Sequence, residues 1–229
     1  MGKNKLKKFA EMDKLEHVVQ PTREDLNQFE LKNNWASQLF GNSNPIVLEL
    51  GCGRGEYALA MAERFPEKNF IGIDIKGSRM WQGATQGFKK GLKNLAFLRI
   101  SIEHIVDCFG KNEVDEIWIT FPDPQIKFRR RTRRLTHPDF LAKYNQICKP
   151  DAVLHLKTDS AFLYGYTVAT LEHLDYQIID TSHDVYNARK DNALLMEVKT
   201  YYEDLFHKKG YPITYIQFKQ PAQNSQSNT

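Results

Sequence analysis

The sequence has 229 residues, 41% of them hydrophobic, and a formal net charge of +4. This length suits one sizeable α/β core, and no apolar run is long enough to span a membrane. The lysine-rich start is not followed by an apolar signal core, so we expect a cytoplasmic protein without membrane contact. We predict a single domain over residues 15–219, preceded by a flexible basic arm (1–14) and followed by a disordered polar tail (220–229).

The cysteines and histidines give no sign of a metal site or of a disulfide framework. Cys52, Cys108 and Cys148 are odd in number and widely spaced, and they form no CxxC pair. The seven histidines show no spacing typical of metal ligands. We therefore expect reduced thiols and no bound metal ion.

Beyond residue 45, short β-branched or aromatic segments alternate with longer segments of helical period. This alternation is typical of parallel strands joined by crossover helices. It predicts a Rossmann-like α/β fold in which seven strands form a mostly parallel sheet with helices on both faces. The predicted strands cover residues 46–50, 70–75, 95–100, 116–120, 153–157, 176–180 and 213–219.

The first of these strands runs directly into a glycine-rich loop and then into a helix. The loop contains Gly51, Gly53 and Gly55, which lie where a ligand must approach the backbone closely. The dinucleotide fingerprint GxGxxG is not met, because the third glycine comes one residue too early. A pyrophosphate ligand is therefore disfavoured. The simpler alternative is that the glycines only form a tight turn.

Two acidic residues at strand ends flank the same crevice. Glu49 precedes the glycine loop and would repel a dinucleotide, whereas S-adenosylmethionine carries an ammonium and a sulfonium but no phosphate. Asp74 follows the next strand, at the place from which a carboxylate accepts hydrogen bonds from ribose hydroxyls. The strand, the loop, the helix and both acids together predict an S-adenosylmethionine-dependent methyltransferase.

A long polar segment without helical period follows the fourth strand. In Phe121-Pro122-Asp123-Pro124, two prolines present one carboxylate at the end of a strand, where ligands bind in open α/β sheets. Six cations then fall within eight residues with no acid among them: Lys127, Arg129, Arg130, Arg131, Arg133 and Arg134. Such a run favours a polyanion partner. The alternatives are a turn cap for Asp123 and a solvated loop for the cations.

Several of these motifs occur together in one known family. The motifs are Glu49 to Gly55, Phe121 to Pro124, the basic run, Leu156-Lys157-Thr158-Asp159 and Thr200-Tyr201-Tyr202-Glu203. In combination they resemble those of bacterial tRNA (guanine-N7)-methyltransferases, over most of the chain from Ile46 to Lys219. The glycine loop alone is shared with many methyltransferases, whereas the order of the other motifs is close to family-specific.

The resemblance implies methyl transfer from S-adenosylmethionine to N7 of guanine 46 in the variable loop of tRNA, with S-adenosylhomocysteine as product. It implies a cofactor site made of Glu49, Gly51, Gly53, Gly55, Asp74, Ser101 and Asp123. It implies that Asp123 is also the catalytic residue. The substrate nucleoside would contact Lys127, Asp159, Thr200, Tyr201, Tyr202 and Glu203, and the tRNA would contact Arg129, Arg130, Arg131, Arg133 and Arg134.

The chain departs from the family pattern at two places. Gln125 and Ile126 stand where the family usually has Trp-Pro, and Ser101 stands where it has an acid at the end of the third strand. An acid there would accept a hydrogen bond from the adenine amino group more strongly than a neutral hydroxyl does. Either Ser101 or the nearby Glu103 is then the candidate for that contact.

The expected reaction needs positioning rather than a base. Guanine N7 carries an in-plane lone pair and no proton, so orientation of the two reactants supplies much of the rate gain. Asp123 or Asp159 would accept hydrogen bonds from the guanine edge. The base would be turned out of the tRNA stack, and Tyr201 or Tyr202 would stack on it.

Two other functions remain open from the sequence. In one, the methyltransferase fold acts on a small molecule or a protein, and the basic loop serves only solubility. In the other, the protein is a tRNA-binding factor without catalysis, as Ser101 and the missing Trp-Pro would suggest. Both a monomer and a homodimer are compatible with the sequence.

Overall fold

The structure is a computed structural model that describes residues 3–221, and within them eight strands form one sheet. The strands are β1 (Val18–Val19), β2 (Ile46–Leu50), β3 (Asn69–Ile73), β4 (Leu95–Leu98), β5 (Val114–Thr120), β6 (Cys148–Thr158), β7 (Gln177–Ser182) and β8 (Thr214–Lys219). Seven of them correspond to the predicted strands. The eighth is the two-residue β1, which pairs with Phe97 and Leu98 and is too short to show a sequence period.

The order of the strands, β1-β4-β3-β2-β5-β6-β8-β7, places a switch point at the centre of the sheet. From β2 the chain continues to β3 on one side, and β5 later pairs with β2 on the other side. Open α/β sheets bind ligands outside the carboxyl ends of the strands at such a point. Within the described sheet, β8 runs antiparallel to both of its neighbours, which makes the sheet mostly parallel as predicted.

Helices cover both faces of the sheet, as the α/β pattern predicts. They are α1 (Lys3–Met12), α2 (Glu56–Arg64), α3 (Gly77–Lys89), α4 (Ile105–Cys108), α5 (Pro138–Ile147), α6 (Ala161–His173), α7 (Val185–Ala188), α8 (Ala193–Glu197) and α9 (Tyr201–Lys208). Successive strand residues point to opposite faces. Leu48 and Ile117 therefore belong to one buried cluster, and Val47 and Trp118 belong to the other.

The basic segment at the start of the chain is a helix rather than the flexible arm that we expected. Met12 is fully buried, and Glu11 accepts a hydrogen bond from the Trp81 indole at 2.6 Å. Phe9 lies 4.5 Å from the Arg99 guanidinium. These contacts hold α1 against α3 and against Arg99, which follows β4. The sequence did not predict them, because the many lysines of this segment suggested a solvated arm.

Two further expectations concern the ends of the domain and the membrane. Of the predicted tail, residues 222–229 lie outside the described residues, as do residues 1 and 2 of the predicted arm. Among residues 3–221, no helix combines the length and the apolar character that crossing a bilayer requires.

Candidate active site

A pocket of about 620 Å³ lies at the carboxyl ends of β2, β3, β5 and β6. This volume falls within the range typical of small-molecule sites. Its lining includes Glu49, Gly51, Gly53, Asp74, Asp123, Asp159, Thr200 and Tyr202. The fold thus brings together four motifs that are spread over about 150 residues of sequence.

The backbone of the glycine loop has a left-handed conformation, which is energetically unfavourable for residues with a side chain. Gly51, Gly53 and Gly55 have φ values of +75°, +54° and +70°. A Cβ atom on Gly55 would come within 2.4 Å of the Phe97 ring, so that position has no room for a side chain. The Gly51 amide donates to the Ile73 carbonyl at 2.8 Å. The loop is therefore folded tightly over the end of β3, where a ligand meets bare backbone.

Asp74 is held in place by the loop that it faces. One carboxylate oxygen accepts from the Gly53 amide at 2.9 Å, and the other accepts from the Lys76 amide at 2.7 Å. Its remaining lone pairs face the pocket that it lines. The side chain is thus oriented before any ligand binds.

Glu49 is a buried carboxyl at the floor of the pocket, with 4% of its surface exposed. It accepts hydrogen bonds from the Ala58 amide at 2.9 Å and from the Thr120 hydroxyl at 2.8 Å. Burial, with a smaller contribution from the charge of Asp74, raises the pKa of Glu49 to about 8. A cationic ligand group would reverse this shift, whereas a phosphate would increase it. The floor of the pocket therefore fits an ammonium.

The Asp123 loop is strained at both of its ends. Phe121 and Gln125 have φ values of +48° and +46°, which are uncommon for residues with a side chain. The Phe121 amide donates to the Lys157 carbonyl at 2.8 Å, and the Gln125 amide donates to Asp123 at 3.0 Å. Strain of this kind persists when the surroundings fix it, and it concentrates at functional sites. The exposed Asp123 carboxylate is held at the pocket wall.

Arg134 does not occupy the position that we predicted for it. It is 6% exposed, and its guanidinium lies 4.4 Å from the Tyr166 ring and 4.9 Å from the Phe162 ring. It also donates to the Gln125 carbonyl at 3.2 Å. Arg134 is thus turned inward, where it anchors the Asp123 loop instead of facing RNA. The other five cations of the run are exposed: Lys127, Arg129, Arg130, Arg131 and Arg133.

A further part of the pocket wall comes from the end of β6 and the start of α9. Asp159 is half-buried, and burial raises its pKa. Thr200 caps α9 by accepting from the Glu203 amide at 3.1 Å. Tyr202 lines the pocket, whereas Tyr201 lies beside it with the Arg54 guanidinium 4.3 Å from its ring. Of the two tyrosines, the structure thus places Tyr202 at the pocket.

Glu203 is fully buried and does not line the pocket, contrary to the substrate contact that the resemblance implied. It pairs with Lys157 at 2.6 Å and accepts from the Tyr186 hydroxyl at 2.8 Å. Lys157 is also fully buried and donates to the Leu195 carbonyl at 2.8 Å. Burial lowers the pKa of Lys157, and the charge of Glu203 opposes that shift. The ion pair ties α9 to β6, and the hydrogen bond to Leu195 ties α8 to β6.

Neither of the two side chains that we named for the adenine contact lines the pocket. Ser101 does not line the pocket, and Glu103 is exposed, with its carbonyl bound to Lys143. Ile102 and Ile75 line the pocket instead. Each follows a strand end by a few residues, and no polar motif marks either of them in the sequence. The pocket therefore offers apolar surface where we had expected a hydrogen-bond acceptor.

Comparison with known proteins places these features in a family. A family model described as "Putative methyltransferase" matches residues 43–216. A tRNA (guanine-N(7)-)-methyltransferase of Christiangramia forsetii is 51% identical over 95% of this chain and 98% of its own length. One of Bacteroides thetaiotaomicron is 46% identical over 97% of this chain and 88% of its own. This chain belongs to the tRNA (guanine-N7)-methyltransferase family.

The solved structures agree on the fold of this family member. A 16S rRNA methyltransferase, KamB, superimposes with a TM-score of 0.63 at 16% identity, covering 81% of this chain and 92% of its own. At that identity the likeness concerns the fold alone. It supports the Rossmann-like α/β architecture that the sequence predicted.

The tRNA (guanine-N7)-methyltransferase family uses S-adenosylmethionine, and the residues present fit that cofactor. The bare glycine loop leaves room for close approach, and the buried Glu49 suits the amino group. Asp74 offers free lone pairs for ribose hydroxyls. Among residues 3–221, no three His, Cys, Asp or Glu side chains lie close enough together to hold a metal ion.

Proposed function

We propose that this protein transfers a methyl group from S-adenosylmethionine to N7 of guanine 46 in the variable loop of tRNA. One observation carries the proposal: the wall of a pocket suited to a small cationic cofactor continues into a rim of five exposed cations. A small-molecule enzyme has no use for such a rim. The names of the relatives support the same substrate class.

In the cofactor half of the pocket, which Glu49, Asp74 and the glycine loop form, each residue would bind a different part of the cofactor. Glu49 would bind the amino group, Asp74 the ribose hydroxyls, and the glycine loop would receive the chain between them. Ile75 and Ile102 would cover the faces of the adenine, since both present apolar surface to the pocket. This assignment replaces the adenine contact that the sequence suggested for Ser101 or Glu103.

The cofactor supplies an electrophilic methyl group on a sulfonium, and N7 of guanine attacks it with its lone pair. The N–C bond forms, the C–S bond breaks with its electron pair going to sulfur, and the guanine ring gains the positive charge. No proton is lost in this step, so no general base is required. A carboxylate near the ring stabilises the developing charge, and Asp123 is the exposed carboxylate at that wall.

The expected size of this effect follows from Coulomb's law. Two charges about 4 Å apart at an effective dielectric of about 20 interact by about 4 kcal/mol, which corresponds to roughly a thousandfold in rate. This is an upper bound for Asp123, because it is exposed and solvent screens it. Orientation of the two reactants supplies a further share of the barrier.

Asp159 is the candidate for selecting the base. It lines the pocket just after the end of β6, is half-buried and has a raised pKa. A carboxyl in that setting would accept hydrogen bonds from the N1 and amino groups of guanine, which adenine does not offer in the same pattern. Tyr202 would stack on the base once it is turned into the pocket.

The rim cations would hold the phosphates on either side of that base. Each neutralised phosphate releases counterions, so binding should weaken steeply as salt rises. A monomer would carry one such site and a homodimer would carry two. We place the reaction in the cytoplasm, where bacterial tRNA is modified.

A direct test incubates the protein with methyl-labelled S-adenosylmethionine and an unmodified tRNA transcript, followed by mass spectrometry of the nucleosides. We expect N7-methylguanosine. If cofactor binds and no N7-methylguanosine forms, the proposal is wrong, and a tRNA-binding factor without catalysis is supported when tRNA still binds. Methylation of a protein or a small molecule in a cell extract, with tRNA left unmodified, would support the other alternative.

A further inference from the structure

Two large apolar side chains stand exposed at the start of the cation rim. Ile126 is 66% exposed and Phe128 is 76% exposed, the highest value among the large hydrophobic residues of the described chain. They flank Lys127, and Arg129 follows Phe128. A loop that only needed to be soluble would not place an aromatic ring among cations at this exposure. Exposed apolar groups rimmed by polar residues often mark binding surfaces.

The loop is built to hold these side chains at the mouth of the pocket. Gln125 and Arg133 both line the pocket, so the residues between them form its rim. A 3₁₀ turn runs from Phe128 to Arg133, and the buried Arg134 fastens the loop through the Gln125 carbonyl. The Arg131 guanidinium lies 4.3 Å from the Phe128 ring. Phe128 is therefore positioned by its neighbours while its ring stays open to solvent.

The proposed reaction creates a gap that such a ring fits. N7 of a stacked base is hard to reach, so the guanine must leave the stack, and its neighbours lose a stacking partner. Proteins that open a nucleic-acid stack commonly insert an apolar side chain between the bases. Aromatic side chains stack on any base, and cations nearby hold the backbone. Phe128 has the ring, the exposure and the cationic surroundings that this task requires.

We propose that Phe128 inserts into the tRNA stack in the space that the target guanine leaves, with Ile126 packed beside the same base step. The occupant of this surface is the pair of nucleotides that flank the target. This inference rests on the proposed function. It adds a residue that acts on the RNA partner rather than on the cofactor or on the reacting atoms.

The first test compares two substrates. Phe128→Ala is assayed on folded tRNA and on a short single-stranded RNA that carries the variable-loop guanine, which needs no extrusion from a tertiary stack. We expect kcat/KM on folded tRNA to fall about tenfold or more and kcat/KM on the short RNA to stay within about twofold. Phe128→Trp should restore most of the loss. Phe88→Ala is the matched control, because Phe88 is 62% exposed on α3, outside the rim.

Equal losses on both substrates would overturn the proposal, because the ring would then serve the loop or the phosphates. An unchanged rate on both substrates would overturn it as well. Activity of the wild-type protein on tRNA is measured alongside, so a failure of the proposed function is seen separately. The second test does not depend on methyl transfer and remains decisive in that case.

The second test places 2-aminopurine next to the target guanine and follows its fluorescence on protein binding. With wild-type protein the gap is filled, so the reporter stays stacked and its emission stays low. With Phe128→Ala the gap is empty, and we expect emission to rise severalfold at saturating protein. The same emission with both proteins, at equal tRNA occupancy, would contradict insertion by Phe128.

Discussion

The two halves of the pocket are built in different ways. On the cofactor half, Glu49 and Asp74 each accept two hydrogen bonds from the chain, and Glu49 is buried. On the substrate half, Asp123 and the five rim cations are exposed. A small cofactor gains affinity when its site is formed in advance, since less ordering is needed on binding. A tRNA brings its own bulk and charge, and it can bury side chains that stand in solvent.

This difference predicts which step each variant affects. Substitutions on the cofactor half should change cofactor binding, and substitutions on the substrate half should change methyl transfer or tRNA binding. If a substitution in one half changed cofactor binding and methyl transfer equally, the two halves would act as one unit.

The largest effect is expected from Asp123→Asn. In the proposed reaction its carboxylate stabilises the charge that develops on guanine, so turnover should fall by up to about a thousandfold. The dissociation constant of S-adenosylhomocysteine should change only a few-fold, as measured by calorimetry. Asp151→Asn serves as the control, since Asp151 is exposed on β6 away from the pocket. Equal loss of turnover and of cofactor affinity would contradict the division.

The next largest effect is expected on the free energy of unfolding, when the buried Lys157–Glu203 ion pair is broken. Lys157→Met leaves Glu203 buried and unpaired, which typically costs about 3–5 kcal/mol of unfolding free energy. Lys157→Met combined with Glu203→Leu should recover much of this loss, as measured by urea denaturation. The single variant should also raise KM for tRNA more than it changes cofactor affinity, because Thr200 and Tyr202 follow the tied segment. If the losses of unfolding free energy from the two substitutions simply added in the double variant, Lys157 and Glu203 would not stabilise each other.

A smaller effect is expected on the number of protons released when the cofactor binds beside Glu49. Since the pKa of Glu49 is about 8 without ligand, the carboxyl is mostly protonated at pH 7. An ammonium beside it lowers the pKa, so binding at pH 7 should release nearly one proton. The release should vanish as pH rises above 8, where Glu49 is already ionised.

Calorimetry of S-adenosylhomocysteine in buffers of different ionisation heat measures this proton. Glu49→Gln removes the titrating group, so its proton release should be close to zero and its affinity should fall about tenfold or more. Identical proton release in both proteins would place the ammonium elsewhere.

The smallest effect separates the exposed arginines from the buried one. Replacing Arg129, Arg130 and Arg131 with alanine should reduce the slope of log affinity against log salt by about 2, since each phosphate contact on single-stranded RNA contributes about 0.7. Arg134→Gln should leave the slope unchanged and lower turnover, because Arg134 fastens the Asp123 loop. A slope change for Arg134→Gln equal to that of one exposed arginine would contradict its inward position.

The sequence predicts the cofactor half better than the substrate half, for a physical reason. Glu49, Asp74 and the glycine loop are set by a local order of strand, turn and helix, and this order is visible along the chain. The seven longer strands have the same local origin. Val18–Val19 was missed because two residues show no period.

The burial of Arg134 and Glu203 has no local signal. Arg134 is covered by Phe162 and Tyr166 of α6, and Glu203 is paired with Lys157 of β6. A charged residue in a motif is normally expected at the surface, since burial needs a partner. Such partners come from the tertiary structure. A lysine within the apolar strand at position 157 was the one available hint.

The most direct test of the central claim locates the methylated atom on tRNA. Wild-type protein is incubated with a tRNA transcript that carries guanine at position 46 and with a transcript that carries adenine there. Chemical cleavage at N7-methylguanosine then maps each product. We predict a single cleavage site at nucleotide 46 of the first transcript and none in the second. Cleavage at another guanine, or methylation at another atom, would contradict the account.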